Sequence, residues 1–152
     1  MQIAIPLFPR FTALDGIGPY EVVQRIPDID VTFIGHERGE VRSENGFLGV
    51  TRDATFEEMP SPDVIVFPGG VGTRALMDDQ RVLEWLRSAH PHTRFTTSVC
   101  TGSLVLAAAG LLDGLTATTV GSSPPRACRA GSTWRCGWSR SSWTAPPPRR
   151  AS

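Results

Sequence analysis

The strongest constraint on what this chain can fold into is a regular alternation of short apolar runs with helical stretches, which stops after Thr119. Residues 2–8, 30–35 and 63–67 are short and largely apolar, and Asp63-Val64-Ile65-Val66-Phe67 is the clearest of them. Such runs suit strands buried on both faces. Residues 94–99 form a further strand candidate. A loop holding Asp15-Gly16 precedes a short helix that starts at Gly18-Pro19, with the proline in its first turn. Ser43-Glu44-Asn45-Gly46 divides two short extended stretches with an Asn-Gly hairpin signal. Asp78 and Asp79 can cap a helix in which Val82, Trp85, Leu86 and Ala89 recur at i, i+3, i+4 and i+7. His90-Pro91 breaks that helix. Residues 104–112 are apolar on every side, which predicts a buried helix ended by Asp113-Gly114, and residues 116–119 begin another extended segment. Strands and helices alternating in this way imply an α/β domain with a mostly parallel sheet covered by helices on both faces.

Beyond Thr119 the pattern is gone. Residues 121–152 contain seven Ser, six Arg, five Pro and three Trp, with no Leu, Ile, Val, Phe or Met. A segment without aliphatic residues buries too little surface to offset its ordering entropy, so residues 120–152 are expected to be disordered or poorly packed beside a domain at 1–119. Charge divides at the same place. All 15 acids fall in residues 1–120 with nine arginines, leaving −6, while the last 32 residues carry six arginines and no acid, giving +6. The formal net charge of zero is the sum of these two parts. The chain has no lysine, and the tail is rich in residues with GC-rich codons, which suggests a frameshifted reading of a GC-rich gene. One back-translation of residues 120–127, moved by one base, gives Trp-Ala-Arg-Leu-Pro-Arg-Glu-Leu.

No apolar stretch is long enough to span a bilayer, and the N-terminus lacks the charged start and long apolar run of a secretory signal. The three cysteines form no CxxC pair and no disulfide framework, so a reducing, cytoplasmic setting and no metal site are expected. Cys128 and Cys136 have no histidine neighbours. Trp134, Trp138 and Trp143 lie among arginines, a pattern that can stack on single-stranded nucleic acid. Without a fold to present them, no nucleic-acid partner and no membrane partner is expected.

Cys100 is the leading candidate for chemistry. It ends a strand and directly precedes Thr101-Gly102-Ser103 and the apolar helix. A sharp strand-to-helix turn exposes a nucleophile at the carboxyl edge of a sheet, where amides of the following helix favour the thiolate and a developing anion. Gly102 keeps such a turn uncrowded, as in a nucleophile elbow. The alternative is a buried structural thiol. Gly69-Gly70 follows the preceding strand, either as a backbone donor for an oxyanion or as a plain tight turn. Gly70-Val71-Gly72-Thr73-Arg74-Ala75 also fits G-x-G-x-x-A, but the acid a dinucleotide site needs at the end of the next strand is missing. Asp15 reads as a turn former or cap, or as a carboxylate brought to the sheet edge to carry a proton. Glu21 is a weaker candidate of the same kind. His36, His90 and His92 read as solvated loop residues.

Three motifs together resemble one family. Leu14-Asp15-Gly16-Ile17-Gly18-Pro19-Tyr20-Glu21-Val22, Phe67-Pro68-Gly69-Gly70, and Ser98-Val99-Cys100-Thr101-Gly102-Ser103 followed by Ala-Ala-Gly-Leu-Leu-Asp-Gly are similar to the ThiJ/PfpI family. This is a branch of the class I glutamine amidotransferase-like superfamily. The resemblance implies a flavodoxin-like three-layer sandwich, here truncated on its C-terminal side. It is closest to the isonitrile hydratases, lyases that convert an isonitrile and water into an N-substituted formamide. It implies Cys100 as the nucleophile giving a thioimidate, Asp15 as the proton carrier that orients water, Thr101 assisting beside it, and Gly70 as a backbone donor. It implies a small-molecule substrate, no metal or organic cofactor, and a homodimer. After Ala117-Thr118-Thr119 the family continues His-Trp, where this chain has Val120-Gly121. A glyoxalase- or deglycase-like activity and the amidotransferase-like domain of AraC-type regulators are the alternatives the resemblance leaves open.

Overall fold

The computed structural model describes residues 1–115. Among these residues there are seven strands: β1 (Gln2–Pro6), β2 (Asp30–Gly35), β3 (Gly39–Arg42), β4 (Gly49–Arg52), β5 (Ala54–Thr55), β6 (Val64–Phe67) and β7 (Phe95–Ser98). Four α-helices, α1 (Ala13–Val23), α2 (Thr73–Leu76), α3 (Gln80–Ala89) and α4 (Gly102–Ala108), connect or follow them. Five strands form one sheet in the order β5-β2-β1-β6-β7, and every pairing within it is parallel. β3 and β4 form a separate antiparallel hairpin around the Asn45-Gly46 turn. This is the α/β, flavodoxin-like architecture expected of the sequence.

The sheet explains its own sequence. Ile3, Ala4, Ile5 and Pro6 are all buried, so β1 has protein on both faces, as a central parallel strand requires. Ile34, Ile65 and Phe67 on its neighbours are fully buried and continue that core. α3 follows its predicted pattern closely. Asp79 caps it by accepting from the Arg81 and Val82 backbone N–H groups, and Val82, Trp85, Leu86 and Ala89 face inward. The indole N–H of buried Trp85 is satisfied by Met59 O at 2.9 Å.

Two helices differ from expectation. α1 begins at Ala13, not at Gly18-Pro19, so Asp15 and Gly16 lie in its first turns and Pro19 lies inside it. Glycine and proline are poor helix formers, but tertiary packing outweighs that preference here. Gly16 brings the helix close to Leu7 and Phe11, and a side-chain carbon there would already be 3.2 Å from Leu7. α4 starts at Gly102 and ends at Ala108, with Gly110 in a left-handed conformation at φ 80° just beyond it. Val105 and Leu106 are buried, while Leu104, Ala107 and Ala108 are only partly covered. The helix is therefore buried along one face, not all round.

The expected extended segment at 116–119, the boundary at residue 120, and Cys128, Cys136, Trp134, Trp138 and Trp143 lie outside the described residues. Among the described residues, no helix is long and apolar enough to cross a membrane.

Candidate active site

Three loops leave the carboxyl ends of neighbouring parallel strands and meet. The first follows β1 and enters α1, the second follows β6, and the third follows β7 and enters α4. β1 lies between β2 and β6, so chain order reverses direction across the sheet there. Such a switch point is where open α/β sheets place their ligand crevice.

Cys100 sits at the third turn with φ 51°, in the left-handed region that non-glycine residues rarely adopt. The turn is closed from within: Gly102 N–H donates to Val99 O at 2.9 Å, and the Ser103 hydroxyl donates to Cys100 O at 3.2 Å. Gly102 has no room for a side chain, because a Cβ would collide with Phe67 O and lie 2.9 Å from Pro68 O. The sequence reading of Gly102 as the residue that uncrowds the elbow is met in these contacts. Cys100 is solvent-exposed, which disposes of a buried structural thiol.

Asp15 lies 54 residues before Gly69 in the chain, and its Oδ2 accepts the Gly69 N–H at 3.2 Å. It is buried, at 8% exposure. A Cβ built on Gly69 would lie 2.7 Å from both Asp15 Oδ2 and Thr101 N, and 2.8 Å from Thr101 Oγ1. One backbone thus separates the carboxylate from the elbow. Asp15, Gly70, Cys100 and Thr101 are brought to a single edge of the sheet.

Gly70 is at φ 138°, and a Cβ there would come within 2.6 Å of Arg10 O and Thr12 N, so only glycine fits. Its N–H donates to Thr101 Oγ1 at 2.9 Å. The amide proposed as a donor to an anion is therefore already engaged by a hydroxyl of the elbow.

Other sequence candidates fall elsewhere. Glu21 is exposed on α1, bound to the Gln24 side chain at 2.9 Å and paired with Arg25 at 3.6 Å. His36 is not a solvated loop residue: its Nε2 lies 2.7 Å from Asp79 Oδ2 and its ring stands edge-on to Phe56. The ring is drawn in because the same Asp79 that caps α3 also faces it. His90 and His92 are exposed, as expected. Thr73 was missed by sequence reasoning. It is fully buried beside Gly70 and Thr101, and its position after a glycine-rich turn was the available signal. A cleft of about 480 Å3 beside the start of α1 is lined by Thr12, Ala13, Leu14, Ser43, Glu44 and Asn45, and neither Asp15 nor Cys100 borders it. Among the described residues no cluster of three or more His, Cys, Asp or Glu could hold a metal ion.

These features define an α/β domain with a cysteine on a strained elbow at the carboxyl edge of a parallel sheet. The DJ-1/PfpI family profile matches residues 1–135, and the chain belongs to that family. The chain is 46% identical to isonitrile hydratase from Pseudomonas putida over 119 residues, covering 78% of this chain and 52% of that protein. It thus spans about half the length of that relative. It is also 39% identical over 67 residues to the HTH-type transcriptional regulator GbdR of Pseudomonas aeruginosa, covering 44% of this chain and 18% of the regulator. The solved structure of a ThiJ/PfpI family protein from Pseudomonas syringae superimposes with a TM-score of 0.70 at 32% identity, covering 74% of this chain and 47% of that one.

Proposed function

We propose that this chain carries the chemistry of an isonitrile hydratase, with Cys100 as nucleophile and Asp15 as proton carrier. The observation that carries the reading is an exposed cysteine at φ 51° whose neighbour Thr101 faces the buried Asp15 carboxylate across Gly69. The 46% identity to an isonitrile hydratase supports the choice of substrate.

In this reading the Cys100 sulfur forms a bond to the terminal carbon of the isonitrile. That carbon then takes up a proton, giving a thioimidate. Water adds to the same carbon, the nitrogen takes a proton, and the carbon–sulfur bond breaks to release the formamide and the thiolate. One isonitrile and one water enter, and one formamide leaves. Asp15, fixed by Gly69 N–H, is the group that moves protons between water and the reacting carbon and nitrogen. A cytoplasmic homodimer acting on a small molecule completes the reading. Leu14 and Val22, both well exposed on α1, offer apolar surface to a second copy.

The test is incubation with n-butyl isonitrile and detection of N-butylformamide. Cys100→Ala should reduce product to background, and activity surviving in it would remove the nucleophile. Asp15→Asn keeps an oxygen acceptor for Gly69 but cannot carry the proton, and is expected to lower kcat by about 10²- to 10⁴-fold. A second reading has its own support in the similarity to GbdR. A domain of that kind would bind a small molecule without turnover, and would show a ligand-dependent rise in Tm with no formamide.

A further inference from the structure

Thr73 has no part in the chemistry above, yet it is wholly buried with its hydroxyl aimed at the turn between β6 and α2. Its Oγ1 lies 2.7 Å from Gly70 O and 3.3 Å from Thr101 Oγ1, while Thr101 Oγ1 accepts the Gly70 N–H at 2.9 Å. Thr101 Oγ1 is also 3.3 Å from Gly70 O. Each hydroxyl has one proton to give. The short 2.7 Å contact assigns the Thr73 proton to Gly70 O, so the Thr101 proton has two inward acceptors at 3.3 Å, Gly70 O and Thr73 Oγ1. The three residues form a closed ring of contacts: Gly70 N–H donates to Thr101, Thr73 O–H donates to Gly70 O, and the two hydroxyls lie 3.3 Å apart.

We propose that Thr73 is a positioning residue: through this ring it holds the Gly70 turn against the Cys100–Thr101 elbow and directs the Thr101 hydroxyl proton inward. With its proton committed, Thr101 meets a bound water or substrate only as an acceptor. It orients a water O–H and does not protonate the leaving group. This consequence rests on the hydratase reading, whereas the ring itself does not.

Thr73→Val removes the hydroxyl at nearly constant volume, and Thr73→Ser keeps it. Amide hydrogen exchange, followed residue by residue in the full chain, reads the ring directly. Thr73→Val should raise the exchange rate of Gly70 N–H by at least about 10-fold while Ile65 N–H in β6 is unchanged, and Thr73→Ser should restore protection. Equal acceleration at both amides, or no change at Gly70, overturns the proposal. With n-butyl isonitrile, Thr73→Val should lower kcat by about 10-fold and leave KM within about 2-fold, again rescued by serine. A wild-type chain that makes no formamide would sink the hydratase reading, and the exchange measurement would still decide the role of Thr73.

Discussion

β1 and β7 are parallel strands of one sheet with opposite surroundings. β1 lies between β2 and β6, and Ile3, Ala4 and Ile5 are at most 3% exposed. Among the described residues β7 pairs with β6 alone, and Phe95 in it is 56% exposed. Yet the loop after β7 carries the elbow. The central strand holds the core together, and the strand that presents the thiol is the less covered of the two. The most deeply packed strand and the strand that leads into the elbow are thus different parts of the same sheet.

The largest effect expected from this contrast is at the centre. Ile5→Ala should lower the unfolding free energy by about 3 kcal/mol, through lost transfer energy and a residual cavity. Urea denaturation measures it, and a loss under about 1 kcal/mol would mean that β1 is not the packed centre. Next comes the turn that joins centre to edge. Gly70→Ala forces a side chain to within 2.6 Å of two backbone atoms at φ 138°, and should cost about 2 kcal/mol. An unaffected denaturation midpoint would contradict that crowding. Phe95→Ser on β7 should change stability by no more than about 0.5 kcal/mol. A loss above about 1.5 kcal/mol in the same assay would reveal that the outer strand is covered in solution.

The smallest effect lies at the other end of the sheet, near two-residue β5. Glu58 is held down to about 2 by the hydrogen bond from Arg38, helped by the Thr55 backbone N–H. A carboxylate depressed in the folded chain contributes stability above its ordinary value of 4.5, and that contribution fades as pH falls toward about 2. Glu58→Gln should therefore flatten the fall in stability between those pH values. The change is small because both side chains are exposed, and an unchanged slope would show that the ion pair does nothing for this edge.

Local signals made much of the architecture legible. The apolar run in β6, the Asn45-Gly46 turn and the Asp79 cap each state their structure within a few residues. The start of α1 was not legible, because Asp15-Gly16 and Gly18-Pro19 carry turn chemistry and the helix is chosen by burial against Leu7 and Phe11. The same limit applies to the site. The Cys100 elbow could be read from its own neighbours, and Asp15 could be named as a candidate. Its partner Gly69 is 54 residues away, however, and the link between Thr73 and Thr101 spans 28. No periodicity encodes such contacts. His36 was misjudged for the same reason, since Asp79 lies 43 residues further on.

Three left-handed residues meet around this site: Arg10 at φ 64°, Gly70 at φ 138° and Cys100 at φ 51°. Glycine at position 70 adopts its conformation freely, whereas arginine and cysteine give up on the order of 1–2 kcal/mol each to hold theirs. Folding alone gives no reason for a side chain at position 100, because the φ of 51° there carries a cost that glycine would not.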